Sequence, residues 1–509
     1  TGAFYPAIDL CAGEKERGTL ETLLTSPAQR NEIVWGKLLA VTTFSIATAV
    51  LNLLSLSVTG TFVMRAVAPT GGIADLSFGP PPLTSVGWLF VALVPAALMF
   101  SALALAIAAM ARSSKEGQYY LMPLLLISLP LMILPILPAA ELTLGTALVP
   151  ITGLVFVLRE LIEGEFVVAM RYALPVIGVT MFCMWLSIRW AIDQFNKEEV
   201  LFRESEQFSV KAWLKHLVRD RRETPTLGAA LFMGALLLVI RFFSMLLLPP
   251  PESWSAFTVT TLITLVGLIA LPAVLAALVL TSKPRQTLLL TRPPTFSVIA
   301  AFLLAVFLQP LVQSLGEIVK FVFPISEATA AQFAVFQELI DQAPGLWAVV
   351  LLLALTPAIC EELAFRGFIL SGLRHMGHKW GAIALSAVLF GVAHGLLQQS
   401  LMACLTGIVI GYIAVQSGSL LPCIAYHFAN NAAAILCSTV DADLISAWPI
   451  LQQIFVPAEE GFGFAWWVVI AGSVLGAGLL CWFARLPHQA TAEEKLQDAL
   501  DHQQASVGA

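Results

Sequence analysis

Residues 345–371 read GLWAVVLLLALTPAICEELAFRGFILS, a run long enough to cross a bilayer that carries two acids and an arginine in its second half. About 20 predominantly apolar residues span the hydrocarbon core of a membrane. A charge at that depth costs roughly 2.5–3.5 kcal/mol on insertion scales, so such a residue faces a protein interior or a wet cavity. The stretch therefore predicts a spanning helix whose charged residues, Glu361, Glu362 and Arg366, belong to a functional site.

The composition of the chain agrees with a membrane protein. Of its 509 residues, 58% are hydrophobic and only 12% are charged, whereas soluble domains carry about 25% charged residues. The net charge of −6 is spread along the sequence and indicates no nucleic-acid partner. The seven cysteines form no CxxC pair, so we interpret them as small buried hydrophobic residues.

Apolar stretches of spanning length recur on both sides of a charged gap at residues 191–226. They predict an all-α, polytopic transmembrane fold with about four spans before the gap and eight after it, and the lipid bilayer as a partner. The predicted segments are 38–64, 86–111, 119–138 and 168–190 before the gap, and 227–247, 256–281, 296–315, 345–371, 381–397, 401–417, 421–437 and 463–484 after it.

The loops rich in Lys and Arg orient these spans, because cytoplasmic loops carry an excess of basic residues. The basic loops are 112–117, 191–226, 282–294 and 374–379. This pattern predicts that both termini are cytoplasmic, provided that residues 141–165 form a re-entrant or interfacial helical piece on the outer side and do not cross the membrane. We expect the plasma (inner) membrane as the location.

A charged segment precedes the first predicted span. Residues 13–40 read GEKERGTLETLLTSPAQRNEIVWGKLLA. Taken alone, the pattern is typical of a solvated helix beside a membrane, interrupted at Pro27. The string resembles the type-2 ABC transporter permeases, in particular the NatB-like sodium-exporter group, over about residues 1–205. The closing FNKEEVLFRE (195–204) also fits that family.

This resemblance implies a cytoplasmic coupling helix near residues 13–33 that contacts a separate ABC ATP-binding subunit. The residues implied in that contact are Glu14, Lys15, Glu16, Arg17, Thr19 and Glu21. The family has further spans and an outer domain upstream, so we expect the permease portion to be incomplete at its N-terminal end. No G-x-x-x-x-G-K-[ST] loop occurs, so ATP enters only through the separate subunit.

Helical spacing separates the two consecutive glutamates. Glu362 and Arg366 are spaced i, i+4 and share a helix face, with the acid in the favourable N-terminal position. Glu361 points about 100° away from Glu362, so the same ion pair does not involve it. A carboxylate with few partners in a low-dielectric site can serve as a general base.

Two further polar clusters lie on other apolar segments. His427 and Asn431 are also spaced i, i+4, and an imidazole beside an amide can donate to a developing oxyanion. His394 follows the small residues Gly391 and Ala393, which allow helices to approach closely. A lone buried histidine is more often structural, but three polar clusters on neighbouring apolar segments favour a shared site.

The three motifs E-E-x-x-x-R, F-x-x-x-H and H-x-x-x-N, in this order, resemble the CPBP intramembrane protease family, which includes CAAX prenyl endopeptidases and bacteriocin-processing proteins. The resemblance covers about residues 225–485. It implies that Glu361 activates a water, assisted by His394, and that His427 and Asn431 stabilise the oxyanion. Glu362 and Arg366 are implied to orient the site.

A metal is the alternative to glutamate chemistry. Glu361, His394 and His427 could provide three ligands and leave one position open, as in catalytic zinc sites. The sequence lacks the H-E-x-x-H motif, in which two histidines on one helix face bind zinc. We therefore prefer a metal-free site without cofactors.

The predicted organisation has four parts: a permease portion (1–205), a charged cytoplasmic linker (206–226), a CAAX-protease-like eight-helix bundle (227–485) and a polar cytoplasmic tail (486–509), which is a frayed helix or disordered. The predicted function is a membrane-embedded endopeptidase fused to an ABC-type export permease. It would cut a peptide or membrane-protein substrate near the cytoplasmic leaflet. The alternative is an export permease subunit for sodium, peptides or drugs, whose C-terminal domain is regulatory or a non-catalytic binding scaffold.

Overall fold

The computed structural model describes residues 2–67, 83–111, 113–133, 135, 141–196, 221–325, 327–457, 461–486, 490–497 and 499. Most of the predicted linker lies outside the described residues, as do 197–204 of the FNKEEVLFRE string and most of the tail. The chain divides into two compact units, Thr1–Phe208 and Ser209–Ala509. Each unit is described by itself.

The regular secondary structure among the described residues of the first unit is all helical. Its helices are α1 (Phe4–Ile8), continuing through a π-helical turn (Asp9–Gly13) into α2 (Glu14–Glu16), then α3 (Thr19–Leu24), α4 (Arg30–Val67), α5 (Leu83–Ala109), α6 (Ser114–Ile133), α7 (Leu144–Ala147), α8 (Thr152–Glu163) and α9 (Phe166–Asn196).

The core of this unit forms where α5 packs along α4 and α9. The buried face of α5 is rich in alanine, and Ala102, Leu105 and Ala108 contact Leu38 and Val41 of α4 in one cluster. Small residues allow close helix packing in membranes, where van der Waals contact drives association. Helix α8 has 12 residues and is about 18 Å long, which is too short to span about 30 Å of hydrocarbon. This agrees with the expectation that 141–165 does not cross.

The second unit contains the remaining helices and one small hairpin. Its helices are α10 (Leu227–Leu247), α11 (Trp254–Leu262), α12 (Leu271–Leu280), α13 (Pro284–Thr287), α14 (Ser297–Val322), α15 (Glu327–Asp341), α16 (Leu346–Val350), α17 (Thr356–Glu362), α18 (Leu370–Leu373), α19 (Lys379–Val392), α20 (Leu397–Ser417), α21 (Leu420–Ser438), α22 (Ala442–Ala447), α23 (Leu451–Ile454) and α24 (Trp466–Ala484).

Three π-helical turns interrupt long helices of this unit. One (Ile263–Ala270) joins α11 to α12, a second (Leu351–Leu355) joins α16 to α17, and a third (Leu363–Ile369) joins α17 to α18. The third begins immediately after Glu362. Such turns are rare and occur frequently at functional sites. The core forms where α14 packs against α21 and α24, and where α19 packs against α20.

The described residues contain ten helices long and apolar enough to cross a membrane, four in the first unit and six in the second, besides two shorter apolar helices (Leu227–Arg241 and Lys379–Val392). The predicted all-α, polytopic fold is confirmed. Large apolar side chains cover the outer faces of these helices; Leu174 is 80% exposed and Phe321 is 87% exposed. Contiguous apolar surface of this kind is what lipid covers.

One predicted segment begins later than expected. The sequence pattern predicted a span over 463–484, but β1 (Phe455–Pro457) pairs antiparallel with β2 (Phe462–Phe464), and α24 begins only at Trp466. The rings of Phe455 and Phe464 lie 5.0 Å apart between centroids. This cross-strand aromatic pair stabilises the hairpin, so the apolar residues before Trp466 belong to it.

Candidate active site

Glu362 is the centre of a buried chain of polar groups. Its Oε1 atom accepts hydrogen bonds from Nη1 of Arg366 and from Nδ1 of His427, each at 2.8 Å. Nη2 of Arg366 donates to the backbone carbonyl of Gly407 at 3.2 Å. The side chains of Glu362 and Arg366 are completely buried. A buried charge is tolerated when it is paired and hydrogen-bonded, and Arg366 compensates Glu362.

Two glycines allow α20 to approach this chain. A Cβ atom on Gly407 would lie 3.3 Å from Nη2 of Arg366 and 3.2 Å from Ala387. A Cβ atom on Gly391 would overlap Sγ of Cys404 and the carbonyl oxygen of Ser400. Both positions are therefore points of close packing between α19 and α20, and they fix the distance from Arg366 to its backbone acceptor.

Glu361 has a different environment from its neighbour. Its side chain is 14% exposed, and its Oε2 atom lies 3.9 Å from Nε2 of His427. Within the described part of the chain, that oxygen accepts no hydrogen bond. Nδ1 of His427 is bound to Glu362, and the second ring nitrogen, Nε2, is directed toward Glu361. One histidine therefore lies between the two glutamates.

His394 lies at the end of α19 in a fixed tautomer. Its Nδ1 atom is 2.9 Å from the carbonyl oxygen of Phe390. A carbonyl only accepts, so Nδ1 carries the proton and Nε2 of the neutral ring is available as an acceptor. The Phe390 ring packs edge-on against both His394 and His427, with centroids 5.0 and 5.9 Å apart. Its centroid is 4.3 Å from Cζ of Arg366, a cation–π contact.

Glu361 and His394 line the same cavity of about 370 Å³. Residues from all three π-helical turns of the second unit contribute to its wall. The lining residues are Leu237, Arg241, Pro251, Phe257, Thr260, Thr261, Thr264, Leu265, Ile269, Leu352, Leu353, Pro357, Glu361, Phe365, Phe390, Ala393, His394 and Gln399. Sequence reasoning missed Arg241, although one charge within an apolar helix is a recognisable signal.

Asn431 lies outside this cavity wall. Its Nδ2 atom is 3.4 Å from the carbonyl oxygen of Leu353, a long hydrogen bond, and its Oδ1 atom accepts from Asn430 at 3.2 Å. His427 also does not line the cavity. The oxyanion role of His427 and Asn431 stays a prediction, because each has a nitrogen engaged with a group of the protein.

The donor set does not fit a zinc ion. Within the described residues, no three side chains of His, Cys, Asp or Glu lie close enough together to hold a metal. Of the three alternative ligands, Glu361 and His427 approach within 3.9 Å. Catalytic zinc requires three protein ligands, and only these two of the three come that close. The metal-free reading stays a prediction.

The predicted coupling residues of the first unit fall into two groups. Glu14 forms a buried ion pair with Lys37, and Nζ of Lys15 donates to the carbonyl oxygen of Ala109. Oε2 of Glu16 accepts from both the backbone nitrogen and the hydroxyl of Ser114, at 3.0 Å each. These bonds from Ser114 lower the pKa of Glu16. The first three residues therefore attach the segment to its own unit.

The remaining coupling residues are exposed. Arg17 bonds Oδ1 of Asp9 at 2.8 Å while remaining about half exposed, and this bond raises the pKa of Arg17. Gly18 has φ of +70°, a conformation that glycine adopts without strain, and it separates α2 from α3. Thr19 and Glu21 lie on the exposed surface of α3. This helix is the part of the segment open to a partner.

Comparison with known proteins gives two family matches. The family model described as "ABC-2 family transporter protein" matches residues 3–285. The model described as "Type II CAAX prenyl endopeptidase Rce1-like" matches residues 343–433, a region that contains all six predicted site residues of the second unit. The ABC-2 match extends past residue 205 into the second unit.

A curated relative is similar to part of the chain. The "ABC transporter permease protein NatB" of Bacillus subtilis (strain 168) is 35% identical over 122 residues, which are 24% of this chain and 30% of the relative. The matched region therefore covers less than a third of that relative's length. No solved structure matches the chain.

Proposed function

Because the chain belongs to the ABC-2 family of transporter proteins and contains an Rce1-like CAAX endopeptidase region, we propose that it joins an export permease to a membrane-embedded endopeptidase. The second unit hydrolyses a peptide bond of a peptide or membrane protein near the cytoplasmic leaflet. The observation that supports this most directly is the cavity that Glu361 and His394 share.

Glu361 is the proposed general base. Its Oε2 atom has no hydrogen-bond donor within the described structure, whereas Glu362 has two donors on one oxygen. Glu361 takes a proton from a water in the cavity, and the hydroxide oxygen forms a bond to the peptide carbonyl carbon. When the C–N bond breaks, the protonated Glu361 returns that proton to the leaving amine. General acid–base catalysis of this kind contributes about 10²–10⁴-fold.

His394 and His427 assist from two sides. Nε2 of His394 is an available acceptor and can orient the water toward the carbonyl. His427, held through Nδ1 by Glu362, directs Nε2 toward Glu361 at 3.9 Å, and it is the polar neighbour of that carboxylate across a gap too long for a direct hydrogen bond. The oxyanion role that the resemblance implies for His427 and Asn431 requires a change in their hydrogen bonds when substrate enters.

The first unit supports the permease half of the proposal. The exposed α3, with Thr19 and Glu21, is the proposed contact with a separate ATP-binding subunit, and the match to a permease protein supports that partner. The proposed topology places both termini in the cytoplasm of the plasma (inner) membrane. The exported solute is a sodium ion, a peptide or a drug, as the resemblance to type-2 ABC transporter permeases implies.

The test of the endopeptidase is a proteolysis assay on the full chain in lipid nanodiscs with a library of membrane-embedded peptides. Glu361→Gln is expected to reduce kcat at least 100-fold, in keeping with loss of a general base, and His394→Gln is expected to reduce kcat because it removes the acceptor that orients the water. The matched control is Glu338→Gln, since Glu338 is an exposed acid on α15. Wild-type turnover by Glu361→Gln would refute the mechanism.

A strong chelator should leave the rate of the wild-type chain unchanged. Inactivation by the chelator would favour a metal enzyme.

A further inference from the structure

Arg241 is a cation within an apolar helix. It lies on α10 in the sequence LLLVIRFFSMLL (236–247). At membrane depth an arginine is costly, by about 2.5–3.5 kcal/mol on insertion scales, and such residues face a protein interior or a wet cavity and mark functional sites. Arg366, by contrast, is compensated by Glu362. The group that compensates the charge of Arg241 therefore bears on the function of the protein.

Arg241 lines the cavity that contains Glu361 and His394. The residue is partly buried, and its guanidinium forms no hydrogen bond or ion pair with the described residues. Glu361 acts on it electrostatically, but the two side chains are not in contact. The cavity therefore contains an acid and a cation at separate places on its wall.

Apart from Glu361, Arg241 and His394, the polar residues of the wall are not ionisable. They are Thr260, Thr261, Thr264 and Gln399. An anion entering the cavity would thus meet the cation of Arg241, with neutral polar groups and the carboxylate of Glu361 elsewhere on the wall. A guanidinium presents paired N–H donors that match a carboxylate in a bidentate manner. Hydrogen bonds to charged groups contribute about 1.5–3 kcal/mol.

We propose that Arg241 binds a carboxylate of the peptide substrate, and so determines which peptides enter the cavity and how they lie against Glu361. This inference rests on the proposed endopeptidase function, because it takes the ligand to be the substrate. The carboxylate comes either from the end of the peptide chain or from an acidic side chain. Both sources have the same chemistry, and the experiment distinguishes them.

The experiment measures binding separately from turnover. The full chain carrying Glu361→Gln is titrated with fluorescein-labelled apolar octapeptides in two pairs. The first pair differs only in a free or an amidated C-terminus. The second pair is amidated and differs only in Glu or Gln at one position. In at least one pair, the acid is expected to bind about 10- to 100-fold more tightly, which corresponds to about 1.4–2.7 kcal/mol.

Two substitutions of Arg241 complete the test. Arg241→Gln should bring the acid and the neutral peptide to within twofold of each other, and Arg241→Lys should keep a reduced preference, since lysine is a point charge without the planar fork. No preference in either pair, a preference that survives Arg241→Gln, or no binding of any probe would each overturn the proposal. If Arg241→Gln does not fold, an undiminished preference in Arg241→Lys overturns it.

Turnover of the same peptides distinguishes a failure of the proposed endopeptidase from a failure of the proposed carboxylate site. If the acid preference depends on Arg241 but the wild-type chain cleaves none of the octapeptides, the binding site stands and the proposed endopeptidase fails. If Arg241→Gln changes the pH profile of kcat/KM equally for acidic and neutral peptides, Arg241 serves the ionisation of Glu361. That result also overturns carboxylate recognition.

Discussion

Nδ1 of His427 lies 2.8 Å from Oε1 of Glu362, the same oxygen that Arg366 contacts. This bond joins α21 to α17 through a fully buried carboxylate. It gives the two consecutive glutamates different partners, because Oε1 of Glu362 has two donors, whereas Oε2 of Glu361 has none within the described residues. Stability and catalysis should therefore depend on different members of the Glu361–Glu362 pair.

The first prediction concerns the different roles of Glu361 and Glu362. Glu362→Ala leaves Arg366 buried without its counter-ion, and breaking a buried pair in this way costs about 3–5 kcal/mol. Glu361→Gln is isosteric and removes no hydrogen bond, so we expect a loss of less than about 1 kcal/mol. Thermal and denaturant unfolding of the two purified variants measures the difference. Equal losses of stability would show that Glu362 is not the structural member.

Much of this arrangement can be predicted from the sequence, because many of its contacts lie within a single helix. The Glu362–Arg366 contact depends only on the i, i+4 spacing within one helix, and the spans follow from composition. The bond from His427 to Glu362 depends on how α21 packs against α17, which no local pattern encodes. The tail is a similar case, since it was expected to be a frayed helix or disordered, and no local pattern encodes that Glu494 of the helix over 492–497 is buried against Arg374.

The second prediction tests close packing between α19 and α20. Gly391→Ala introduces a methyl group that overlaps Sγ of Cys404, and overpacking of this kind costs about 1–3 kcal/mol. Combining it with Cys404→Ala should recover part of the stability but not all, because the carbonyl of Ser400 is also too close. Gly478→Ala is the control, since nothing lies within 4 Å of its Cβ position. Additive effects of Gly391→Ala and Cys404→Ala in thermal unfolding would argue against this contact.

The third prediction concerns Phe390, whose ring touches both histidines. Phe390→Leu keeps an apolar side chain but removes the edge contacts, each worth about 0.5–1.5 kcal/mol. The backbone acceptor for His394 remains, so we expect kcat to fall about 10-fold with KM nearly unchanged. Steady-state kinetics on a cleaved library peptide checks this split. A change confined to KM would indicate that the ring contacts substrate instead of positioning His394.

The fourth prediction tests the coupling segment. Glu21 is exposed on α3, whereas Glu14 and Glu16 bond within their own unit. Glu21→Lys should therefore reduce co-purification of an ATP-binding subunit at least 10-fold without lowering stability, because no internal bond is lost. Glu165→Lys, a charge reversal at another exposed acid of this unit, is the control. Unchanged association in Glu21→Lys would place the contact elsewhere.

The last prediction concerns pH and the docked tail. Nε and Nη2 of Arg374 donate to the two carboxylate oxygens of Glu494 at 3.0 and 2.7 Å, and Nδ1 of His375 lies 2.8 Å from Oε1 of Glu493. The bond from His375 lowers the pKa of Glu493 below its ordinary value of 4.5. A lowered carboxylate pKa stabilises the docked state at every pH above the ordinary value, and this contribution is lost as pH falls through the lowered pKa.

Hydrogen exchange at 492–497, corrected for intrinsic rates, should thus show constant protection from pH 7 to about pH 5 and a decrease below about pH 4, following the lowered pKa of Glu493. Glu493→Gln should reduce that acid-dependent step without abolishing it, because acid also breaks the bonds from Arg374 to Glu494. Lys495→Gln, an exposed residue of the same helix, should keep the full step. Glu494→Gln should lower protection already at pH 7, because it breaks the bond pair to Arg374. If the step is undiminished in Glu493→Gln, the contact with His375 does not hold the tail.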